Sequence, residues 1–308
     1  METSVAPEPS ARTAFAGLVD YAGLFPPAKL AIEQAAREYR EARNGPHAWM
    51  LGRFIIPVSV LASNPQAVDA AFSAIVDVLG DEARWFEEVA SRVAAAADLR
   101  QRGARIEALE IALPASVVSA GELAAPLRHL RERIAAERLD DLPCYVEFTR
   151  TPGEMPNVTR ALAAASGAGL RAKLRCGGVT AQAFPSVDEV ADFIAAAAAQ
   201  RVAFKATAGL HHPVRHIDAA TGFPMHGFLN LLTAAALATR VSREMLHAIV
   251  AEEDAGAFTF SPATLQWRSE RIDSTQLAAV RDAFIAYGSC SFSEPVEDLT
   301  ALGMLATR

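Results

Sequence analysis

The chain has 308 residues, a formal net charge of −7, and 21% charged against 51% hydrophobic residues. That balance builds a substantial core and excludes disordered and collagen-like classes, and the arginines, spread along helical stretches without a basic tract, argue against nucleic acid as a partner. No apolar run reaches the roughly 18–20 residues that cross a bilayer, and the opening METSVAPEPSARTAF lacks the basic and apolar segments of a secretion signal, so no membrane partner and a cytoplasmic location are expected.

Residues 1–12 read as a loose Pro-rich terminus and 13–308 as one continuous domain without an interdomain linker. In chain order, β-rich segments fall at Leu18–Leu24, Arg53–Val58, Ile106–Ala112, Cys144–Thr149, Leu170–Arg175, Val202–Thr207, Ala257–Ser261 and Phe284–Ser289. Helical patterns separate them at Pro65–Leu79, Asp81–Arg102, Leu123–Glu137, Asn157–Ser166, Ser186–Ala199, Phe228–Ala251, Ser274–Arg281 and Pro295–Leu305. Strands alternating with helices in this number predict an α/β protein with a single (β/α)₈ TIM barrel, whose chemistry belongs at the carboxyl ends of the strands. An open doubly wound sheet is the runner-up, although no strand is followed by a GxGxxG or phosphate-loop signature.

Of 29 basic residues only Lys29, Lys173 and Lys205 are lysine. An amine can lose its proton and attack a carbonyl, which a guanidinium cannot, so a chain this poor in lysine draws attention to each one. Alternation along the strands sharpens the point, because one set of side chains faces the helices and the other the lumen. In VAFKATAGL the outward set is Val202 and Phe204, leaving Lys205 and Thr207 inside; in LRAKLRC the apolar set is Leu170, Ala172 and Leu174, leaving Arg171, Lys173 and Arg175. The same parity puts Glu110 of IEALEIAL and Tyr145 and Glu147 of CYVEFTR inside. Ionisable groups are rarely buried unpaired, so these are expected to form a polar cluster, either a site or a structural ion-pair network.

Gly177 and Gly178 follow the fifth of these segments and either open space for an anion beside Arg175 or make a tight turn. Cys176 lies on the outward parity, and Cys144, Cys176 and Cys290, which form no CxxC pair, are expected to be free thiols. After Lys205 comes a long loop carrying His211, His212, His216 and His226, suited to acid/base or substrate-binding work, to metal ligation, or to capping. Adjacent histidines point apart unless the backbone bends, so at most one of His211 and His212 is expected at the chemistry. Ser289, Ser291 and Glu294 complete the rim, where Ser291 and Ser293 bind an anionic group or cap the last helix. Asp20 and Lys29, on the first strand and its loop, are within possible reach, and Lys29 reads as peripheral.

The string Phe204-Lys205-Ala206-Thr207-Ala208-Gly209-Leu210 resembles the Schiff-base strand of deoxyribose-phosphate aldolases, and Lys173 with the following glycines resembles that family's second active-site lysine. The order is reversed: in the family the second lysine lies on the strand after the Schiff-base strand, whereas Lys173 precedes Lys205. The resemblance covers some forty residues and implies class I aldolase-like lyase chemistry, with Lys205 as the nucleophile and Lys173 and Arg175 drawing it towards its neutral form. Glu110 or Glu147 would move protons, and His211 or His212 would close over the substrate. Arg175, Gly177, Gly178, Thr207, Ser289 and Ser291 would bind a small carbonyl substrate, anionic through a carboxylate or phosphate. That reading needs no cofactor and no metal, and is compatible with a homo-oligomer. Two alternatives stay open: a metal-dependent hydrolase or isomerase with Glu110, Glu147 and one or two of His211, His212 and His216 as ligands, and a non-catalytic barrel that binds small molecules or assembles.

Overall fold

The computed structural model describes residues 8–78, 82–149, 157–178, 180–219 and 221–305. Eight strands close into a barrel: β1 (Val19–Tyr21), β2 (Leu51–Pro57), β3 (Phe72–Ile75), β4 (Ile106–Leu113), β5 (Cys144–Phe148), β6 (Arg171–Arg175), β7 (Phe204–Thr207) and β8 (Phe284–Ser289). Each pairs with its sequence neighbour, β8 returns to β1, and every pairing is parallel. This is the (β/α)₈ architecture that the alternation of elements predicts.

The third strand is not where the sequence suggested. Phe72–Ile75 lies inside the stretch expected to be a helix, Pro65–Leu79, of which Leu79 is outside the described residues. The apolar residues Phe72, Ile75 and Val76 fall at helical spacing, but this short run pairs with both β2 and β4 and completes the barrel. Conversely, Ala257–Ser261 contains a real strand, Phe258–Phe260, that is not part of the barrel. It pairs antiparallel with Thr264–Trp267, which pairs with Glu270–Asp273. The tight turns at Pro262 and at Arg268, the latter at φ 50°, fold these residues into a small sheet before the chain returns to β8.

This sheet is held by the N-terminal segment. Residues expected to be loose up to 12 are helical from Pro9 to Phe15, with Ser10, Ala11, Ala14 and Phe15 buried, while 1–7 lie outside the described residues. Ser10 Oγ donates to the Ser261 carbonyl at 2.5 Å and Phe15 packs edge-on against Phe260. The expected helix Phe228–Ala251 is two helices, Phe228–Leu237 and Arg243–Ala251, the second capped by Ser242.

Between strands and helices the core is apolar and rich in aromatic contacts. Phe204 of β7 stacks on Phe284 of β8 at 5.1 Å and meets Phe193 edge-on, from the helix Val187–Gln200. Tyr287 stacks on Phe228 at 4.9 Å. The helix Val187–Gln200 begins with the capping box Ser186/Glu189 and buries Val190, Phe193 and Ile194 on one face. These outward contacts fix the parity of each strand, and with it which side chains enter the lumen.

Candidate active site

The lumen holds a chain of charge that runs across five strands. Lys205 Nζ of β7 lies 2.5 Å from Asp20 Oδ2 of β1, bonds to Glu110 Oε1 of β4, and donates to Ser73 Oγ of β3 at 3.1 Å. Ser73 in turn donates to Glu110 Oε1 at 2.5 Å. The other oxygen of Glu110 lies 2.7 Å from Lys173 Nζ of β6, which also faces Glu147 Oε2 at 3.4 Å. Glu147 Oε1 then takes Arg175 Nε at 2.5 Å. Strand register explains the convergence: Lys173 and Lys205 are directly paired across β6 and β7, and Glu147 is paired with Lys173 across β5 and β6.

Burial grades along this chain. Asp20 and Ser73 are fully buried, Glu110 and Lys205 are 1% exposed, Lys173 is 8% exposed and the Arg175 side chain is 45% exposed at the mouth. Beneath Lys205 the ring of Tyr145 lies 5.3 Å from Nζ and its hydroxyl accepts from Arg171 at 3.0 Å, closing the amino-terminal end. Gly52 makes the Asp20 contact sterically possible, since a Cβ there would sit 2.2 Å from Asp20 Oδ1, the oxygen that accepts the Arg53 amide at 2.6 Å.

The electrostatics correct one expectation. Burial pulls the Lys205 amine down, but Asp20 and Glu110 outweigh it and hold the ammonium well above the ordinary lysine range. Lys205 is therefore not drawn towards its neutral form; two carboxylates, unforeseen as a pair, fix it as a cation. Glu110 is held well below the carboxylate range because Lys173 and Lys205 together overcome its burial, and Lys173 and Arg175 lower Glu147 in the same way.

The glycines after β6 serve packing. A Cβ on Gly177 would sit 3.1 Å from Gly209 Cα and 3.0 Å from Phe184, and one on Gly178 would strike Ala183, so the exits of β6 and β7 touch backbone to backbone. Thr207 is half-buried at the end of β7, beside that contact. Cys176 is fully buried and burial pushes its thiol up, the setting of an unreactive thiol.

The histidines of the long loop go elsewhere. Ala208 and Gly209, at φ 62° and 68°, bend the backbone as it leaves β7. The bend turns both His211 and His212 onto the helix Ser293–Ala301: His211 Nδ1 lies 2.5 Å from Glu294 Oε2 and His212 Nδ1 2.5 Å from Asp298 Oδ2. His216 packs edge-on against His212, and His226 is fully buried with Nε2 2.8 Å from the Pro185 carbonyl, its pKa lowered to about 4 by burial. Of these two histidines one was expected to close over a substrate; both instead latch the loop to the last helix. The ligand set Glu110, Glu147, His211, His212 and His216 is not brought together, and among the described residues no group of three or more His, Cys, Asp or Glu is arranged to hold a metal ion.

Of the rim serines, Ser289 differs from expectation and Ser291 takes the second of its two expected roles. Ser289 is in register with Tyr21 on the helix-facing parity, is 1% exposed, and donates to the Ser291 carbonyl at 2.6 Å. Ser291 Oγ accepts the Glu294 amide in the first turn of the last helix, which is the capping role. Lys29 is exposed and takes no part, whereas Asp20 and Ser73 belong to the cluster. Asp20 stood out only as a charge on a strand; Ser73 was hidden by the helical reading of its segment.

Two solved structures share this shape. A tetrameric deoxyribose phosphate aldolase from Aeropyrum pernix aligns with a TM-score of 0.52 at 10% sequence identity, over 94% of this chain and 93% of that one. A candidate deoxyribose-phosphate aldolase from Coccidioides immitis aligns with a TM-score of 0.46 at 13% identity, over 66% of this chain and 75% of that one. No protein-family model matches the sequence, and no curated protein does. At this identity the first likeness establishes the (β/α)₈ barrel fold alone.

Proposed function

We propose that this barrel is a class I aldolase-type lyase that forms a Schiff base between a lysine and a small carbonyl substrate carrying a carboxylate or phosphate. The observation that carries the reading is the shared carboxylate: Glu110 holds Lys173 on one oxygen and Lys205 on the other, with Glu147 and Arg175 on the mouth side. The aldolase-type fold supports it.

The geometry favours Lys173 as the attacking amine, exchanging the roles that the local string suggests. Lys205 is sealed between Asp20, Glu110, Ser73 and the Tyr145 ring, whereas Lys173 lies nearer the mouth and contacts Glu147, which itself reaches Arg175. This order, attacking lysine on the earlier strand and second lysine on the next, is also the one carried by the family that the sequence resembles. In the proposed cycle Glu147 accepts a proton from Lys173, whose nitrogen attacks the substrate carbonyl carbon. Protonation of the resulting hydroxyl by Glu147 expels water and leaves a cationic imine. Glu147, again a carboxylate, then takes the proton of the substrate's β-hydroxyl; the bond between the α- and β-carbons breaks, the β-carbon leaves as an aldehyde, and the electron pair moves into the imine to give an enamine. The enamine regains that proton from Glu147 at the α-carbon and is hydrolysed by water to free the second carbonyl product and Lys173. Lys205, fixed as a cation, keeps Glu110 paired while Lys173 gives up its proton. Arg175 receives the anionic group, because only its Nε engages Glu147 and much of its side chain faces the mouth.

Borohydride trapping with a panel of phosphorylated and carboxylated aldehydes and ketones, read by intact mass, tests this directly. Wild type and Lys205→Met gain the reduced substrate mass and Lys173→Ala does not. An adduct that persists in Lys173→Ala and disappears in Lys205→Met returns the nucleophile to Lys205, and no adduct on wild type with any member of the panel removes the Schiff-base reading.

A further inference from the structure

The exit of β8 carries a second set of reactive groups that the lysine cluster does not use. Cys290 follows Ser289 and is 7% exposed, and its Sγ lies 3.5 Å from His211 Nε2. The other nitrogen of that ring lies 2.5 Å from Glu294 Oε2. The end of β8, the bent exit of β7 and the first turn of the last helix thus bring a sulfur, an imidazole and a carboxylate into line. That order of groups is the one in which a nucleophile is served by a base or acid that a third group orients.

His211 is raised to about 9: burial would lower it, but its contacts with Cys290 and Glu294 prevail. At neutral pH the ring is therefore an imidazolium that donates from both nitrogens, Nδ1 to Glu294 and Nε2 to the sulfur. A further titratable neighbour is the Tyr21 phenol, which donates to Glu38 at 2.8 Å and stays neutral because burial, and then Glu38, push it up. The other two thiols differ. Cys144 and Cys176 are 2% and 0% exposed in the apolar core, and burial raises both, Cys144 to about 12.

We propose that Cys290 is a peroxide-reactive thiol, with His211 as the acid that protonates the departing oxygen and Glu294 as the carboxylate that orients His211. A sulfur so little exposed admits only a small reagent, and a hydroperoxide is a small electrophile whose leaving group needs a proton. Sulfur gives its proton to solvent and attacks one peroxide oxygen. The S–O bond forms as the O–O bond breaks, so sulfur is oxidised by two electrons and the peroxide is reduced. The departing hydroxide takes the Nε2 proton and leaves as water, and the imidazole regains a proton from solvent. The product is a sulfenic acid, reversible by thiols.

The test uses the full chain and hydrogen peroxide: each timed exposure is stopped with catalase, the chain is then unfolded in urea with the sulfenic-acid trap dimedone, and the labelling rate at each cysteine is read by peptide mass spectrometry. Native Cys290 labels at least about tenfold faster than the same residue in the urea-unfolded chain, despite its burial, while Cys144 and Cys176 label more slowly native than unfolded. His211→Gln, with far-UV circular dichroism unchanged, lowers the native Cys290 rate at least about tenfold. Glu294→Ala does the same, and Glu294→Gln, which keeps an acceptor for Nδ1, restores most of the rate. Native labelling at Cys290 no faster than in the unfolded chain overturns the proposal without any variant, and so does a wild-type rate in folded His211→Gln. A wild-type rate in Glu294→Ala removes the orienting role.

Discussion

Lys173 and Lys205 stand side by side on neighbouring parallel strands and divide one carboxylate between them, Glu110. Two ammonium groups packed together in a lumen would repel; a shared anion, flanked by Asp20 on one side and Glu147 on the other, makes the arrangement tolerable. Removing that anion while keeping both lysines is therefore the most damaging conservative change in the barrel.

Glu110→Gln is expected to cost about 3–5 kcal/mol of unfolding free energy, the scale for breaking a buried ion pair and leaving its partner uncompensated. Its pH signature has a definite sign. Glu110 titrates lower in the folded chain than its ordinary value of 4.5, so its contribution is complete above that value and is lost as pH falls towards the depressed folded value. Urea denaturation of wild type should lose stability below pH 4.5 more steeply than Glu110→Gln does; parallel acid limbs would show that Glu110 is not ionised in the folded protein.

The histidine latch has the opposite sign. His211 is raised from 6.5 to about 9, so its contribution is complete below 6.5 and is lost as pH rises through about 9. Because 47% of the Glu294 side chain is exposed, the effect is no more than about 1 kcal/mol. Unfolding free energies at pH 6, 7.5 and 9.5 should fall more for wild type than for Glu294→Gln, and equal slopes would remove the coupling between this ring and Glu294.

Strand alternation reveals the lumen side chains where the two faces of a strand differ in kind. On β4 to β7 the outward residues are apolar and the inward ones ionisable, so Glu110, Glu147, Lys173 and Lys205 were legible as one cluster before any coordinates. It failed on β3, where Ser73 is the inward polar residue and the neighbouring apolar residues imitate a helix. It also failed at Phe258–Phe260, because local pattern says that a segment is extended but not which sheet it joins. The destination of His211 and His212 was hidden for a third reason. Their partners, Glu294 and Asp298, lie more than eighty residues away, and only the bend at Ala208 and Gly209 brings both rings to the same helix.

The same bend predicts an intolerant glycine. Gly209 sits at φ 68°, and a Cβ there would also come within 3.1 Å of the Cys176 carbonyl oxygen. Gly209→Ala should lose about 1–2 kcal/mol from backbone strain alone, with more from the contact. Gly177→Ala, which presses against Gly209 from the other strand, should lose a similar amount. Urea midpoints measure both, and an unchanged midpoint for Gly209→Ala would contradict the left-handed turn.

The two lysines should separate stability from chemistry. Replacing Lys205 leaves the fully buried Asp20 carboxylate without its cation, whereas replacing Lys173 leaves Glu110 still held by Lys205 and Glu147 still held by Arg175. Lys205→Met is therefore expected to cost about 3–5 kcal/mol, and Lys173→Met less than half of that. Asp20→Leu combined with Lys205→Met should recover part of the loss, because the stranded charge goes with its partner. Urea denaturation of the three variants gives these values independently of any substrate. If Lys173→Met proves as destabilising as Lys205→Met, Lys173 is an equal structural member of the ion-pair chain, and its loss of trapping would no longer distinguish a nucleophile from a support.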